Sequence, residues 1–274
     1  MKHFTTSDGI KLAYSDEGEG IPLICLSGLT RNSSDFDYVV PHLKSNRIIR
    51  LDYRGRGASE WANHATYTIP VEARDTLELM GHLGLQKAAF LGTSRGGLIA
   101  MGLAAFAKQC LLGVCLNDIG PSLAPEGLKN IMTYLGRRPP QKTFEEVAQS
   151  RAKFMIGFDN ISDQRWLEEA HRHYIEVENG LNINYDRNLR KAVEEAAKQP
   201  SADLWPFFDA LDGIPLALIR GQNSDLLSME TVDEMQCRRP DLMFADVPDR
   251  AHVPFLDEPQ SLAVIHRFLD KIND

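Results

Sequence analysis

Gly92-Thr93-Ser94-Arg95-Gly96 stands between an apolar run, Ala88-Ala89-Phe90-Leu91, and a small-residue stretch that begins Gly97-Leu98-Ile99-Ala100-Met101-Gly102. The apolar run reads as a buried strand, and the stretch after it as a helix able to pack closely on a sheet. A serine flanked by glycines at such a junction is the pattern of a sharp strand-to-helix turn that raises a hydroxyl at the sheet's C-terminal edge. The serine of such a turn is held at strained φ/ψ, so the residues two before and two after it can carry no side chain. Gly92 and Gly96 meet that demand. The helix that follows points its N-terminal dipole at the serine, where it favours developing negative charge.

Outward from this turn the chain alternates strand and helix. Ile10 to Ser15 alternates apolar and polar, Ile21-Pro22-Leu23-Ile24-Cys25-Leu26 is continuously apolar, and a helix is expected over 33–43 before the short strand 47–52. A helix is expected over 70–83, with Val71, Leu77, Met80 and Leu83 on one face and Gly84 as its C-cap. Strand 87–91, the serine turn and its helix, and strand 111–116 complete this half. From Ser122 to Asp212 the strand pattern stops, and helices are expected over 126–135, 143–156, 162–174 and 187–198. Strand 214–219, a helix near 228–236, strand 242–247 and a C-terminal helix over 260–272 then resume the alternation. The expected organisation is an α/β core, 1–121 and 213–274, interrupted by a helical cap over 122–212.

The composition sets the class of partner. With 274 residues, 43% hydrophobic and 25% charged, the chain suits one globular α/β domain with an insert. A net charge of -8 without a basic run argues against nucleic acid. The N-terminus lacks the apolar core of a signal peptide, and no apolar stretch approaches the ~20 residues that cross a bilayer, so a cytoplasmic protein with no membrane partner is expected. Cys25 and Cys115 lie inside apolar strands and read as buried free thiols, and Cys110 and Cys237 form no metal-type pair with them. His171 and His173 form an HxH pair with no third ligand nearby and read as part of a solvated helix face, so no metal or other cofactor is expected.

A serine hydroxyl needs a base, and His252 is the candidate, in a loop between the last strand and the last helix at the same sheet edge. Two strand-end carboxylates, Asp118 and Asp225, are placed to orient it. An oxyanion hole requires two backbone N–H groups aimed at one point: Arg95, directly after the serine, and Leu29, in the loop after strand 21–26. Arg31 and Arg95 flank these loops as candidates for binding a substrate carboxylate, with an ion pair to Asp35, Asp37 or Asp52 as the competing reading. Among the aromatics of the insert, Trp166 is the candidate to line the substrate pocket.

Ser27-Gly28-Leu29, Asp52-Tyr53-Arg54-Gly55-Arg56-Gly57-Ala58-Ser59, the Ser94 turn and Ala251-His252-Val253-Pro254-Phe255 occur in one order along the chain. In that order the sequence resembles the α/β-hydrolase fold over nearly its whole length. The resemblance implies a mostly parallel eight-stranded sheet with helices on both faces and an inserted helical cap. The usual oxyanion motif of the family begins His-Gly, and here Ser27 replaces the histidine. Many members carry the orienting aspartate three residues after the glycine of the strand that follows the cap, which here is Ser224, one short of Asp225. A subgroup of small esterases and amide hydrolases with Asp-Ile-(Gly/Ala)-Pro uses instead the aspartate matching Asp118, and this chain reads Asp118-Ile119-Gly120-Pro121. The expectation is a cofactor-independent serine hydrolase of a small carboxylic ester, lactone or amide. The alternatives are a C–C bond hydrolase of diketone acids and a low-turnover ligand receptor on the same fold.

Overall fold

The computed structural model describes residues 1–200 and 202–273. β1 (Lys2–Thr5) and β2 (Lys11–Glu17) pair antiparallel at one edge of an eight-stranded sheet. β3 (Ile21–Leu26) and β4 (Asn46–Leu51) are joined through two short 3-10 turns, Ser33–Phe36 and Val40–His42, where a continuous helix was expected. Pro41 is the reason: it has no N–H to donate to a carbonyl of the preceding turn, so a continuous helix breaks there and a second turn starts with proline in its first positions. α1 (Ile69–His82), β5 (Ala88–Thr93), α2 (Arg95–Ala107) and β6 (Leu111–Asn117) follow.

The insert contains α3 (Pro125–Tyr134), α4 (Phe144–Phe154), α5 (Asp163–His173), the hairpin β7 (Tyr174–Val177) and β8 (Gly180–Ile183), and α6 (Leu189–Ala196). The hairpin departs from the all-helical expectation. Tyr174, Ile175 and Val177 are residues that favour strands, and Gly180 at φ 108 adopts the turn geometry that other residues resist. α7 (Trp205–Asp209), β9 (Leu216–Gly221), α8 (Met229–Arg238), β10 (Met243–Val247) and α9 (Pro259–Asn273) complete the chain. Phe208 of α7 and Leu211 join the apolar cluster against the sheet, so the last stretch of the expected insert belongs by its packing to the core.

The strand order is β1-β2-β4-β3-β5-β6-β9-β10, antiparallel at β1, β2 and β4 and parallel from β4 to β10. Alternation along the strands feeds two apolar layers: Ile24, Leu26, Phe90, Leu116 and Leu218 face one, and Leu23, Cys25, Leu91, Cys115 and Ile219 the other. Each such side chain fully withdrawn from water contributes about 1.5–3 kcal/mol, which is why these strands read as unbroken apolar runs. The register aligns Leu51 with Leu26, Leu26 with Gly92, Thr93 with Asn117, Asn117 with Ile219 and Gly221 with Val247, so six parallel strands end along one edge. Ligands of open α/β sheets bind at that edge.

α1 buries Met80 and packs Leu77 and Leu83 of the expected face against the core, but it also turns Glu72, Ala73, Asp75, Thr76 and Leu79 inward, a wider and more polar face than the apolar spacing implies. The cause lies in the loop after β4. Arg54 and Arg56 there are fully buried, and Asp75 and Glu72 face them at 2.7 Å and 2.8 Å.

Candidate active site

Ser94 sits at the tip of β5 with φ 49 and ψ -113, one residue before α2 begins. The turn is possible because a Cβ on Gly92 would lie 2.6 Å from the Gly96 carbonyl carbon, and one on Gly96 would lie 2.0 Å from the Leu26 carbonyl oxygen. The second distance also measures how closely α2 is set against the end of β3. Arg95, the residue after Ser94, opens that helix.

The parallel ladder continues past the strand ends. Ser94 N–H donates to the Asn117 carbonyl at 2.9 Å, and Asp118 N–H to the Ile219 carbonyl at 2.7 Å. Ser94 and Asp118 are thereby held on adjacent strand ends. Asp118, at φ 52, is fully buried. Its Oδ1 accepts from the Gly221 N–H at 2.8 Å, and its Oδ2 accepts from the Ser224 hydroxyl at 2.6 Å. That same Oδ2 lies 2.6 Å from His252 Nδ1, while His252 Nε2 lies 3.0 Å from Ser94 Oγ.

Asp225, the alternative acid, is exposed and accepts instead from Asn130 Nδ2 at 2.6 Å, so the geometry gives it no part in orienting His252. The physical reason is one residue of offset. Ser224, at the position where many members carry the acid, aims a hydroxyl at Asp118 and leaves Asp225 on the outside of the turn.

Three residues that sequence reading did not single out hold this arrangement. Ser224 is one. Asn117 donates to Thr93 Oγ1 at 3.1 Å and to the Pro254 carbonyl at 3.2 Å, tying the His252 loop to the end of β6. Glu258, buried ahead of α9, accepts from Phe255 N–H, Leu256 N–H and Ser261 Oγ at 2.8–2.9 Å and from Arg250 Nε at 2.9 Å. A carboxylate directly before Pro259 at the start of a helix was the legible signal for the last.

The cap reaches both sides of the site. Asp159 N–H donates to the Asp249 carbonyl at 3.1 Å and Asn223 Nδ2 to the Gly157 carbonyl at 3.0 Å, next to the His252 loop. The Phe158 ring lies 5.7 Å from that of Phe255. In the loop after β3, Leu29 packs against a cluster of Tyr67, Leu135, Ile183, Tyr185 and Leu189.

The expected substrate contacts divide. Trp166 is 3% exposed and packs with Val147, Ala148, Ala170 and Leu181 inside the cap, which removes it from the pocket lining. A large aromatic buries more apolar area between cap helices than at an open wall. The Arg95 guanidinium is tied to Glu72 at 2.5 Å and to the Tyr67 carbonyl at 2.9 Å, so only its backbone N–H remains a candidate. Arg31 pairs with Asp35 at 3.0 Å, as the competing reading held, and its side chain stays 19% exposed. Around it His173 lies 2.9 Å from Asp35, and Arg151 lies 3.6 Å from Glu169. His171 instead stacks on Phe144 at 3.9 Å, so the two histidines of the HxH pair serve different contacts.

Burial pushes the Cys25 thiol up to about 12 and the Cys115 thiol higher still, which removes both as nucleophiles. A cleft of about 630 Å³ opens at the seam of core and cap, lined by Asn32, Asp52, Glu168, His171 and Arg172, without contribution from Ser94 or His252. Among the described residues no helix is long and apolar enough to cross a membrane.

The family model of the alpha/beta hydrolase family matches residues 23–264. The 3-hydroxybutyrate-oligomer hydrolase of Cupriavidus necator is 36% identical over 94% of this chain and 92% of its own length. Haloalkane dehalogenase 2 of Mycobacterium tuberculosis is 34% identical over 97% of this chain and 93% of its own. A crystal structure of an alpha/beta hydrolase from Novosphingobium aromaticivorans matches with a TM-score of 0.92 at 34% identity, covering 98% of this chain and 97% of that one. Sheet order, turn geometry and these similarities agree from β3 to α9: the chain belongs to the alpha/beta hydrolase family and is a hydrolase.

Proposed function

We propose that the protein hydrolyses a small carboxylic ester through an acyl-enzyme on Ser94, and that its substrate is an oligoester of a short hydroxy acid. The observation that carries the reaction is the continuous run from Ser94 Oγ to His252 Nε2 at 3.0 Å and from His252 Nδ1 to Asp118 Oδ2 at 2.6 Å. His252 Nε2 takes the serine proton as Oγ attacks the ester carbonyl. The buried Asp118 carboxylate holds the Nδ1–H tautomer and stabilises the imidazolium. Leu29 and Arg95 N–H groups receive the tetrahedral oxyanion, each worth roughly 3 kcal/mol of transition-state stabilisation. Collapse breaks the bond to the leaving oxygen, which takes the proton from His252. A water molecule then loses a proton to His252 as it attacks the acyl carbon, and His252 returns that proton to Ser94 Oγ as the acyl–oxygen bond breaks and the acid leaves.

The substrate class is drawn from the similarity to the 3-hydroxybutyrate-oligomer hydrolase. It accords with Arg31, two residues beyond Leu29 and partly exposed, as the group that meets the free carboxylate end of such a molecule. Dehalogenation does not follow from the similarity to a dehalogenase. That chemistry needs an aspartate nucleophile, and a serine stands at 94.

The test is hydrolysis of 3-hydroxybutyrate dimers and trimers, followed by release of the acid, in wild type and Ser94→Ala. Turnover is expected in the wild type and to vanish in the variant. Wild-type rates in Ser94→Ala would overturn the mechanism, and tight binding with no turnover in either protein would favour a receptor.

A further inference from the structure

Beneath the two oxyanion donors lies a buried ionic bridge. Glu72, in the first turn of α1, is fully buried. Its Oε2 accepts from Arg95 Nε at 2.5 Å, and its Oε1 lies 2.8 Å from Arg56 Nη1, off the direction of the N–H. Arg56, also fully buried, donates from Nε to the Leu29 carbonyl at 3.0 Å and from Nη1 to the Arg54 carbonyl at 2.7 Å. Its guanidinium lies over the rings of Tyr53 and Tyr67, at 5.6 Å and 5.3 Å. Arg95 makes its second contact through Nη2 to the Tyr67 carbonyl. One carboxylate thus joins the cation that grips Leu29 to the side chain of the residue that bears the other donor.

We infer that Glu72, acting through Arg56 and Arg95, is a positioning residue that fixes Leu29 and Arg95 relative to each other and so sets the geometry of the oxyanion hole. The inference rests on the reading of Ser94 as nucleophile and adds a residue that touches no substrate. The electrostatics give the reason. Burial pushes the Arg56 guanidinium below its ordinary pKa and Arg95 pushes the same way, whereas Glu72 opposes both. Without the carboxylate between them the two cations, Arg56 fully buried and Arg95 12% exposed, repel; the first grips the Leu29 loop and the second is the side chain of the other donor residue. The location of Glu72 suits the role, since the first turn of a helix stabilises a carboxylate.

A bridge that served stability alone would change melting temperature and leave the chemistry per folded site intact. A bridge that positions donors changes transition-state binding in particular, because a displacement of about 1 Å is enough to cost 10²-fold in rate.

The experiment compares wild type with Glu72→Gln and Arg56→Lys on p-nitrophenyl butyrate, with active sites counted by stoichiometric phosphonate labelling of Ser94. Glu72→Gln removes the charge and keeps the shape. Arg56→Lys keeps the charge and loses the fork that reaches Leu29. For each, kcat per labelled site is expected to fall about 10- to 100-fold with KM within about twofold. The inhibition constant of an alkylboronic acid, whose tetrahedral adduct places an oxygen in the hole, is expected to rise by a similar factor. Should Glu72→Gln fail to fold, Arg56→Lys carries the same test. Values of kcat per site within about threefold of wild type, or unchanged boronate affinity, would overturn the inference. Wild type that neither turns over ester nor labels at Ser94 would remove the serine reading and the bridge's role together. Wild type that does both while the variants are unimpaired removes the bridge alone.

Discussion

Replacing Asp118 by Asn tests the orienting acid with little change of shape. Asp118 accepts from three directions: Gly221 N–H on Oδ1 at 2.8 Å, and Ser224 Oγ and His252 Nδ1 on Oδ2, both at 2.6 Å. An asparagine has one carbonyl oxygen for these two sides. If the oxygen faces Gly221, the amide NH₂ faces His252 Nδ1, and the imidazole must carry its proton on Nε2, where it cannot act as base toward Ser94. If the oxygen faces His252, the NH₂ opposes the Gly221 N–H inside a fully buried pocket, leaving donors unsatisfied at a cost of about 1–3 kcal/mol. The first arrangement wins because it keeps the buried Gly221 N–H paired and lets the amide donate to His252 Nδ1, while Ser224 Oγ already accepts from the Leu226 and Leu227 N–H groups. The expected result is a loss of about 10⁴-fold in kcat, roughly 5 kcal/mol of barrier, with KM and melting temperature little changed. Asp225→Asn, at an exposed carboxylate that accepts from Asn130, is expected to stay within about threefold of wild type. Saturation kinetics on p-nitrophenyl butyrate with both variants, alongside thermal melts, decide the matter. An Asp118→Asn enzyme within tenfold of wild type, or an equal loss at Asp225, would refute the assignment.

Arg31→Met is expected to lower kcat/KM for 3-hydroxybutyrate trimer about tenfold or more while leaving its methyl ester nearly unaffected; equal losses on both would remove Arg31 from carboxylate binding. Gly96→Ala puts a Cβ 2.0 Å from the Leu26 carbonyl oxygen, so α2 must retreat from β3. The expected cost is about 3 kcal/mol or more, roughly a 10 °C drop in melting temperature, together with loss of turnover; a melt within about 2 °C of wild type would contradict the packing. Burial raises the Asp35 carboxyl, but Arg31 and His173 outweigh it and hold the group below the usual carboxylate range. A depressed folded-state pKa stabilises fully above the unfolded value and is lost as pH falls through the carboxylate range toward the folded one. Melting temperature should therefore drop between about pH 4 and pH 2, with a smaller slope in Asp35→Asn; identical slopes would show that this pair does not carry the acid sensitivity.

Local chemistry made much of the fold legible. Unbroken apolar runs such as Ile21 to Leu26 have only one stable setting, a strand covered on both faces, and the glycines around Ser94 have a steric purpose that any reader of the sequence can state. Helices with strong start signals fell where expected: Thr143 caps α4 and Ser162 caps α5 by accepting from backbone N–H groups within their first turns. The failures occur where a distant partner decides. The 33–43 stretch has the composition of a helix but yields to Pro41. The polar part of the inward face of α1 was not legible because hydrophobic spacing cannot announce that Arg54 and Arg56, arriving from another loop, need carboxylates there.

The same division runs through the site. Sequence alone pointed to the serine and the histidine that the structure brings within 3.0 Å, and it proposed a pair of backbone donors, because each rests on a short pattern governed by steric and hydrogen-bonding rules. It left Asp118 and Asp225 both open as strand-end carboxylates, and it placed Trp166 and the Arg95 side chain in the pocket. Only the tertiary structure separated these, since what a side chain does depends on which partners reach it first. Ser224 and Gly221 reach Asp118, Glu72 reaches Arg95, and the cap helices enclose Trp166. Those contacts join residues far apart in sequence, and their energies exist only once the chain has closed on itself.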